Sequence, residues 1–177
     1  LAGTNYMYAH STSGTGLGGT VNLTSTGGDF SHTNPNSRIY TYGQSDATHN
    51  RVSITAQNVT TGSMNVNGVN GGDGGQITLQ ATNGDLTTLA GLSTTGNAGG
   101  SGGNITLSSS GGDINISAIN ANGSFGAVTD VSSGGDVTVT ANNGNVNING
   151  TVQARSFGAG TGGDIAITST GAGNDIN

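Results

Sequence analysis

The densest group of chemically capable side chains is the stretch SRIYTYGQSDATHNR, which carries Arg38, Tyr40, Tyr42, Asp46, His49 and Arg51, with His32 just upstream. One carboxylate, imidazoles, guanidiniums and phenols make up the usual kit for acting on a sugar or for holding one. Hydrolysis or elimination at a polysaccharide requires two carboxylates flanking the bond, or an acid beside a basic partner, on one face. The stretch has a single acid, so no catalytic residue is assigned. A polar loop that covers an edge accounts for it best. Passive glycan binding through Arg38, Tyr40, Tyr42, Asp46, His49 and Arg51 is the next reading, and an enzyme the last.

The remaining acids recur instead of clustering. Asp29, Asn58, Asp85, Asp113, Asn145 and Asp175 each precede one recurrent aliphatic, and Asp136 and Asp164 precede another. Carboxylates stacked on neighbouring strands repel one another unless a cation or hydrogen-bond donors stand between them. Calcium is the cation that oxygen ligands of this kind take. Weak Ca²⁺ binding at Asp85, Asp113, Asp136 and Asp164 is therefore one expectation. NGGDGGQI has the look of a calcium-binding nonapeptide, yet it occurs once and without a nine-residue period. The simpler expectation is turn chemistry, with each Asp or Asn bonding its own backbone two residues on. No other cofactor is expected.

What positions these residues is a repeat. GGTVNL, HNRVSI, GGQITL, GGNITL, GGDVTV and GGDIAI share one anchor, whose first aliphatics are Val21, Val52, Ile77, Ile105, Val137 and Ile165. The steps between them are 31, 25, 28, 32 and 28 residues. A second anchor supplies Phe30, Val59, Leu86, Ile114, Val146 and Ile176, and a weaker third lies around Ile39, Met64–Val66, Leu92, Ile119 and Val152. Alternation is two-residue throughout, which predicts strands with one buried face. Three short strands per turn and Gly/Asn corners predict an all-β fold, a parallel β-helix of about six coils stacked about 4.8 Å apart. The first-to-second connection is nearly constant, and the longest insertion is expected around Ile39 to Arg51.

Composition agrees. With 35 Gly, 7% charged residues, nine Asp and three Arg but no Glu or Lys, helix is not expected. A net charge of −6 without a basic stripe argues against nucleic acid. No apolar run approaches a membrane span, so no membrane insertion is expected. Absence of Cys removes disulfides and thiolate metal sites. An extracellular or cell-surface location suits such a chain, with any export signal outside this segment.

Two further patterns are weaker. Outward pairs on the first strand include only one strict Thr-x-Thr, at Thr138 and Thr140, which is too irregular for an ice-binding lattice. SFGA recurs at Ser124–Ala127 and Ser156–Ala159, so Phe125 and Phe157 are expected to stack in neighbouring loops.

Reading the tail, GGDIAITSTGAGNDIN, into the head, LAGTNYMYAHSTSGTGLGG, repeats the design of GDLTTLAGLSTTGNAGGSGG at 84–103. The join makes an Ile165-to-Val21 step only one residue longer than the longest internal one. Uncapped ends are therefore expected. Their partners would be flanking repeats of the same chain or end-to-end copies of itself.

GGDINISAINANG, GGDVTVTANNGNVNINGTVQA and GGDIAITSTG resemble the repeat region of filamentous-haemagglutinin-type exoproteins, over most of residues 14–177. These are large bacterial surface proteins exported by two-partner secretion. The resemblance implies a right-handed parallel β-helix, export through a partner transporter, and adhesive or biofilm roles. NPNS at Asn34–Ser37 lies within an ordinary repeat and does not mark a secretion domain. The family has no shared catalytic residues to carry over. The expected function is a stiff segment of a secreted surface fibre.

Overall fold

A computed structural model describes residues 5–11, 15–46, 48–126 and 131–177. The described chain has no helix and winds as a parallel β-solenoid of about six turns. Strand β1 (Tyr6–Tyr8) comes first. Complete coils follow as β2 (Thr20–Thr24), β3 (Phe30–Ser31) and β4 (Arg38–Tyr40), then β5 (Arg51–Ala56), β6 (Val59–Thr61) and β7 (Ser63–Asn65). The next three are β8 (Gln76–Ala81), β9 (Leu86–Thr88) and β10 (Gly91–Ser93); β11 (Ile105–Ser109), β12 (Ile114–Ile116) and β13 (Ala118–Asn120); and β14 (Val137–Asn142), β15 (Val146–Ile148) and β16 (Val152–Gln153). Strand β17 (Ile165–Thr170) and a bridge from Ile176 to Val146 close the series.

Equivalent strands pair in order. The first sheet runs β17-β14-β11-β8-β5-β2, the second β15-β12-β9-β6-β3 and the third β1-β4-β7-β10-β13-β16. Every pairing is parallel, so a coil's backbone N–H and C=O groups are satisfied by the coils above and below. The register matches the aliphatic anchors residue for residue: Val21↔Val52, Val52↔Ile77, Ile77↔Ile105, Ile105↔Val137 and Val137↔Ile165. Interior ladders of Val, Ile, Leu and Met thus form one continuous core through the middle coils. Shielding falls off at the last coil, where Ile165 is 46% exposed although its ladder neighbour Val137 is fully buried.

The glycine pairs have a specific cause. At Gly75, Gly103, Gly135 and Gly163 an added Cβ would meet the backbone of the coil before it, at Asn50, Gly75, Gly103 and Gly135 in turn. The close approach of stacked corners, and not an unusual dihedral, excludes a side chain there.

One sequence expectation needs correction. The longest connection is the one from β13 to β14, residues 121–136, while the stretch between β4 and β5 is ordinary in length. Its density of polar and aromatic groups, not extra residues, makes it stand out. At the head, Met7 pairs with Ile39 and so continues the ladder to Met64 and Leu92.

Candidate functional site

The fold divides the dense stretch among three places. Arg38 and Tyr40 are on β4, at the outer face of the third sheet, with Tyr42 just beyond. Asp46 and His49 belong to the turn that leads to the first sheet. Arg51 starts β5, where it lines a shallow depression of about 300 Å³ with Thr20, Asn22, Thr48, Ser53 and Thr78.

Asp46 is engaged by its own turn. Its Oδ1 accepts the backbone N–H of Thr48 and of His49, each at 2.7 Å, and the Thr48 hydroxyl at 3.0 Å. The His49 Nδ1 lies 2.9 Å from the carboxylate. These donors, the Thr48 N–H foremost, hold the Asp46 carboxyl well below the usual carboxylate range. An acid so committed to four donors from its own turn makes a poor proton carrier. At the end of the same turn, buried Asn50 adopts φ 54° and staples the corner. It accepts the Thr41 hydroxyl at 3.0 Å and donates to the Gly43 and Asn67 carbonyls at 3.3 Å each.

His32 is not part of that group. It follows β3 with its side chain inside the coil, fully buried. Continuing the β3–β6 register sets it against Thr61, itself opposite Thr88. Among the described residues neither ring nitrogen has a hydrogen-bond partner. Burial pushes its pKa below the ordinary histidine range, with the Asn5 backbone pulling weakly the other way.

What β4 does gather is an aromatic cluster. Tyr8 on β1 pairs with Tyr40, and their rings stack with centroids 5.2 Å apart and planes 6° from parallel. Tyr6 stacks beside Tyr8 at 5.9 Å, and Tyr42 leans on Tyr40 at 5.1 Å. The His10 ring stands edge-on to Tyr8 at 5.5 Å. Arg38 Nη1 donates to the Tyr40 hydroxyl at 2.6 Å. Burial pushes the Tyr42 phenol up, with the Asn65 carboxamide acting the other way. Tyr6 and Tyr8 are 52% and 59% exposed. Sequence reasoning missed Tyr6, Tyr8 and His10. The alternation of Tyr6-Met7-Tyr8, with its single inward aliphatic, was the available signal.

The acids proposed for calcium have another occupation. Asn58 Oδ1 accepts the Asp85 N–H, Asp85 Oδ1 the Asp113 N–H, and Asp113 Oδ1 the Asn145 N–H, at 2.7–2.8 Å. The chain of bonds runs on to Asp175 at 2.8 Å. A parallel one links Asn104 to Asp136 and Asp136 to Asp164, at 2.9 and 3.0 Å. These side chains bond the next coil, and not their own backbone two residues on. Among the described residues no three His, Cys, Asp or Glu side chains come together as a metal site.

Phe125 and Phe157 are exposed and make no ring contact with each other; the backbone of Phe157 instead exchanges hydrogen bonds with Ser132, at 3.0 and 3.3 Å. Ala127 lies outside the described residues. Compared with protein-family models, curated proteins and solved structures, the chain matches none.

Proposed function

We propose that this chain is a length-giving segment of a bacterial cell-surface fibre, a rod whose work is geometric. The observation that carries the reading is the unbroken order of the first sheet, β17-β14-β11-β8-β5-β2, with one residue-for-residue register throughout. Such an array adds about 4.8 Å of length per coil and transmits load through backbone ladders. Among the described residues β2 and β17, the outer strands of the first sheet, each pair on one side only, and an edge of that kind accepts a further coil or a second copy. The half-exposed Ile165 and Ile176 are core ladder positions that another coil would cover. A Lys-free, Cys-free, Asn/Thr-rich exterior supports an extracellular setting, and the resemblance to haemagglutinin-type repeats supports an adhesive fibre.

A tandem of two copies joined tail to head tests the rod. Small-angle scattering is expected to give an unbranched particle longer by on the order of 30 Å, six coils' worth. Two beads of separate mass on a flexible join would refute it. Immunogold labelling of intact source cells tests the location, with filaments at the surface as the expected image.

A further inference from the structure

The chain contains four tyrosines and no tryptophan. All four tyrosines, Tyr6, Tyr8, Tyr40 and Tyr42, form the one connected cluster at the start of the third sheet. Register shows what lies next to it. On the outer face one row runs Tyr6, Arg38, Ser63 and then Gly91 and Ala118; the other runs Tyr8, Tyr40, Asn65, Ser93, Asn120 and Gln153. The small residues of the first row leave a shallow trough of roughly 270 Å³, bordered by Asn65, Ser93 and Asn120. Arg38 and Tyr40 are one rung from its upper end.

We infer that this trough, which the buried Tyr40 rung separates from the exposed Tyr8, binds an extended neutral glycan that lies along the solenoid axis and reaches Tyr8 at its upper end. Carboxamides and hydroxyls both donate and accept hydrogen bonds, which is what a ligand made of hydroxyls requires. They repeat at the coil spacing of about 4.8 Å, comparable to the advance of one pyranose in an extended chain. The trough itself contains no ionised group, so charge recognition is not what it offers. The facing planes of Tyr8 and Tyr40 are spent on each other, so the exposed Tyr6 and Tyr8 offer ring edges and hydroxyls to a sugar passing over them. Failure of this inference would leave the rod reading untouched, because it concerns the sheet's outer face and not the continuation of coils.

Tyrosine emission of the whole chain reports this cluster alone. Titration with cellohexaose, mannohexaose and chitohexaose, with hexagalacturonate as the acidic arm, is expected to give a saturable change for at least one neutral oligosaccharide. Tyr8→Ala is expected to weaken that binding about tenfold, followed by calorimetry because a reporter ring is lost. Gly91→Leu fills the trough and is expected to abolish binding; a Cβ at Gly91 meets nothing within 4 Å, so the coil is kept. Thr138→Ala, on the first sheet, is expected to leave it unchanged. No response to any neutral oligosaccharide at millimolar concentration, binding confined to the acidic one, or equal affinity in the Tyr8 and Gly91 variants would each overturn the inference.

Discussion

The carboxylate of Asp85 accepts the backbone N–H of Asp113 at 2.8 Å, from one coil to the next. The same bond recurs in one direction along the solenoid, from Asn58 to Asp85 and from Asp113 to Asn145. An Asx rung at this corner does what a strand would do elsewhere: it satisfies a backbone donor where the ladder between β8 and β9, or β11 and β12, is interrupted. Direction matters, because it gives the rod a chemical polarity even where its shape is uniform.

Replacing Asp113 tests that role. Asp113→Asn keeps an Oδ1 acceptor and is expected to change stability little. Asp113→Ala leaves the Asn145 N–H without its side-chain partner and is expected to cost about 1 kcal/mol, seen in urea unfolding. Equal losses for both variants would mean that charge, not the hydrogen bond, is what the position supplies.

Calcium separates the two accounts of the acidic rungs. Asp85, Asp113 and Asp136 each spend an oxygen on the next coil's N–H, so the donors already lie between successive carbonyl and carboxylate groups. Millimolar Ca²⁺ is then expected to leave the thermal midpoint where chelator leaves it. A saturable rise with Ca²⁺, absent in Asp85→Asn/Asp113→Asn, would restore the cation reading.

Glycines at stacked corners should be far less replaceable than glycines on the sheet face. Gly135→Ala drives a Cβ into the Gly103 backbone, and a cost of about 1–3 kcal/mol is expected. Gly91→Ala meets open space and is expected to gain about 0.5–1 kcal/mol, as for Gly in a strand. The reverse order in denaturant midpoints would refute the stacking account.

The contrast between what could be read early and what could not follows from where the information resides. Aliphatic ladders were legible because each rung repeats its residue type at the same phase: Val21, Val52, Ile77 and Ile105 announce one another. Asp46 and Asp85 looked alike, yet Asp46 bonds its own turn and Asp85 bonds the next coil. That difference depends on what stacks against each one, which the local text does not display. The Tyr8–Tyr40 stack joins residues 32 apart and needs the register of β1, whose only aliphatic signal is Met7. His32 sat close in the text to Arg38 but points the opposite way, into the core, because it falls on the inward phase after Phe30.

His32 gives the molecule a pH dependence with a definite sign. Its folded-state pKa lies below the unfolded value of about 6.5, since a charged imidazole inside the coil would lose its hydration and gain no partner. Stability is therefore whole above about pH 6.5 and declines as the pH falls from there toward the depressed folded value, because the unfolded chain takes up the proton first. Asp46 acts lower: with its pKa depressed, its contribution is present above about pH 3.9 and fades only below that. Thermal midpoints measured from pH 7.5 to 5 leave Asp46 ionised throughout, and the difference between the wild type and a His32 variant separates His32 from His10 and His49. The wild-type midpoint is expected to fall across this window, and His32→Leu, which removes both unpartnered nitrogens in favour of an apolar rung, is expected to flatten the curve and to hold or raise the midpoint at pH 7. A wild-type curve as flat as the variant's would mean that the imidazole is hydrated in the folded coil, and a curve rising toward acid would mean that it is charged there.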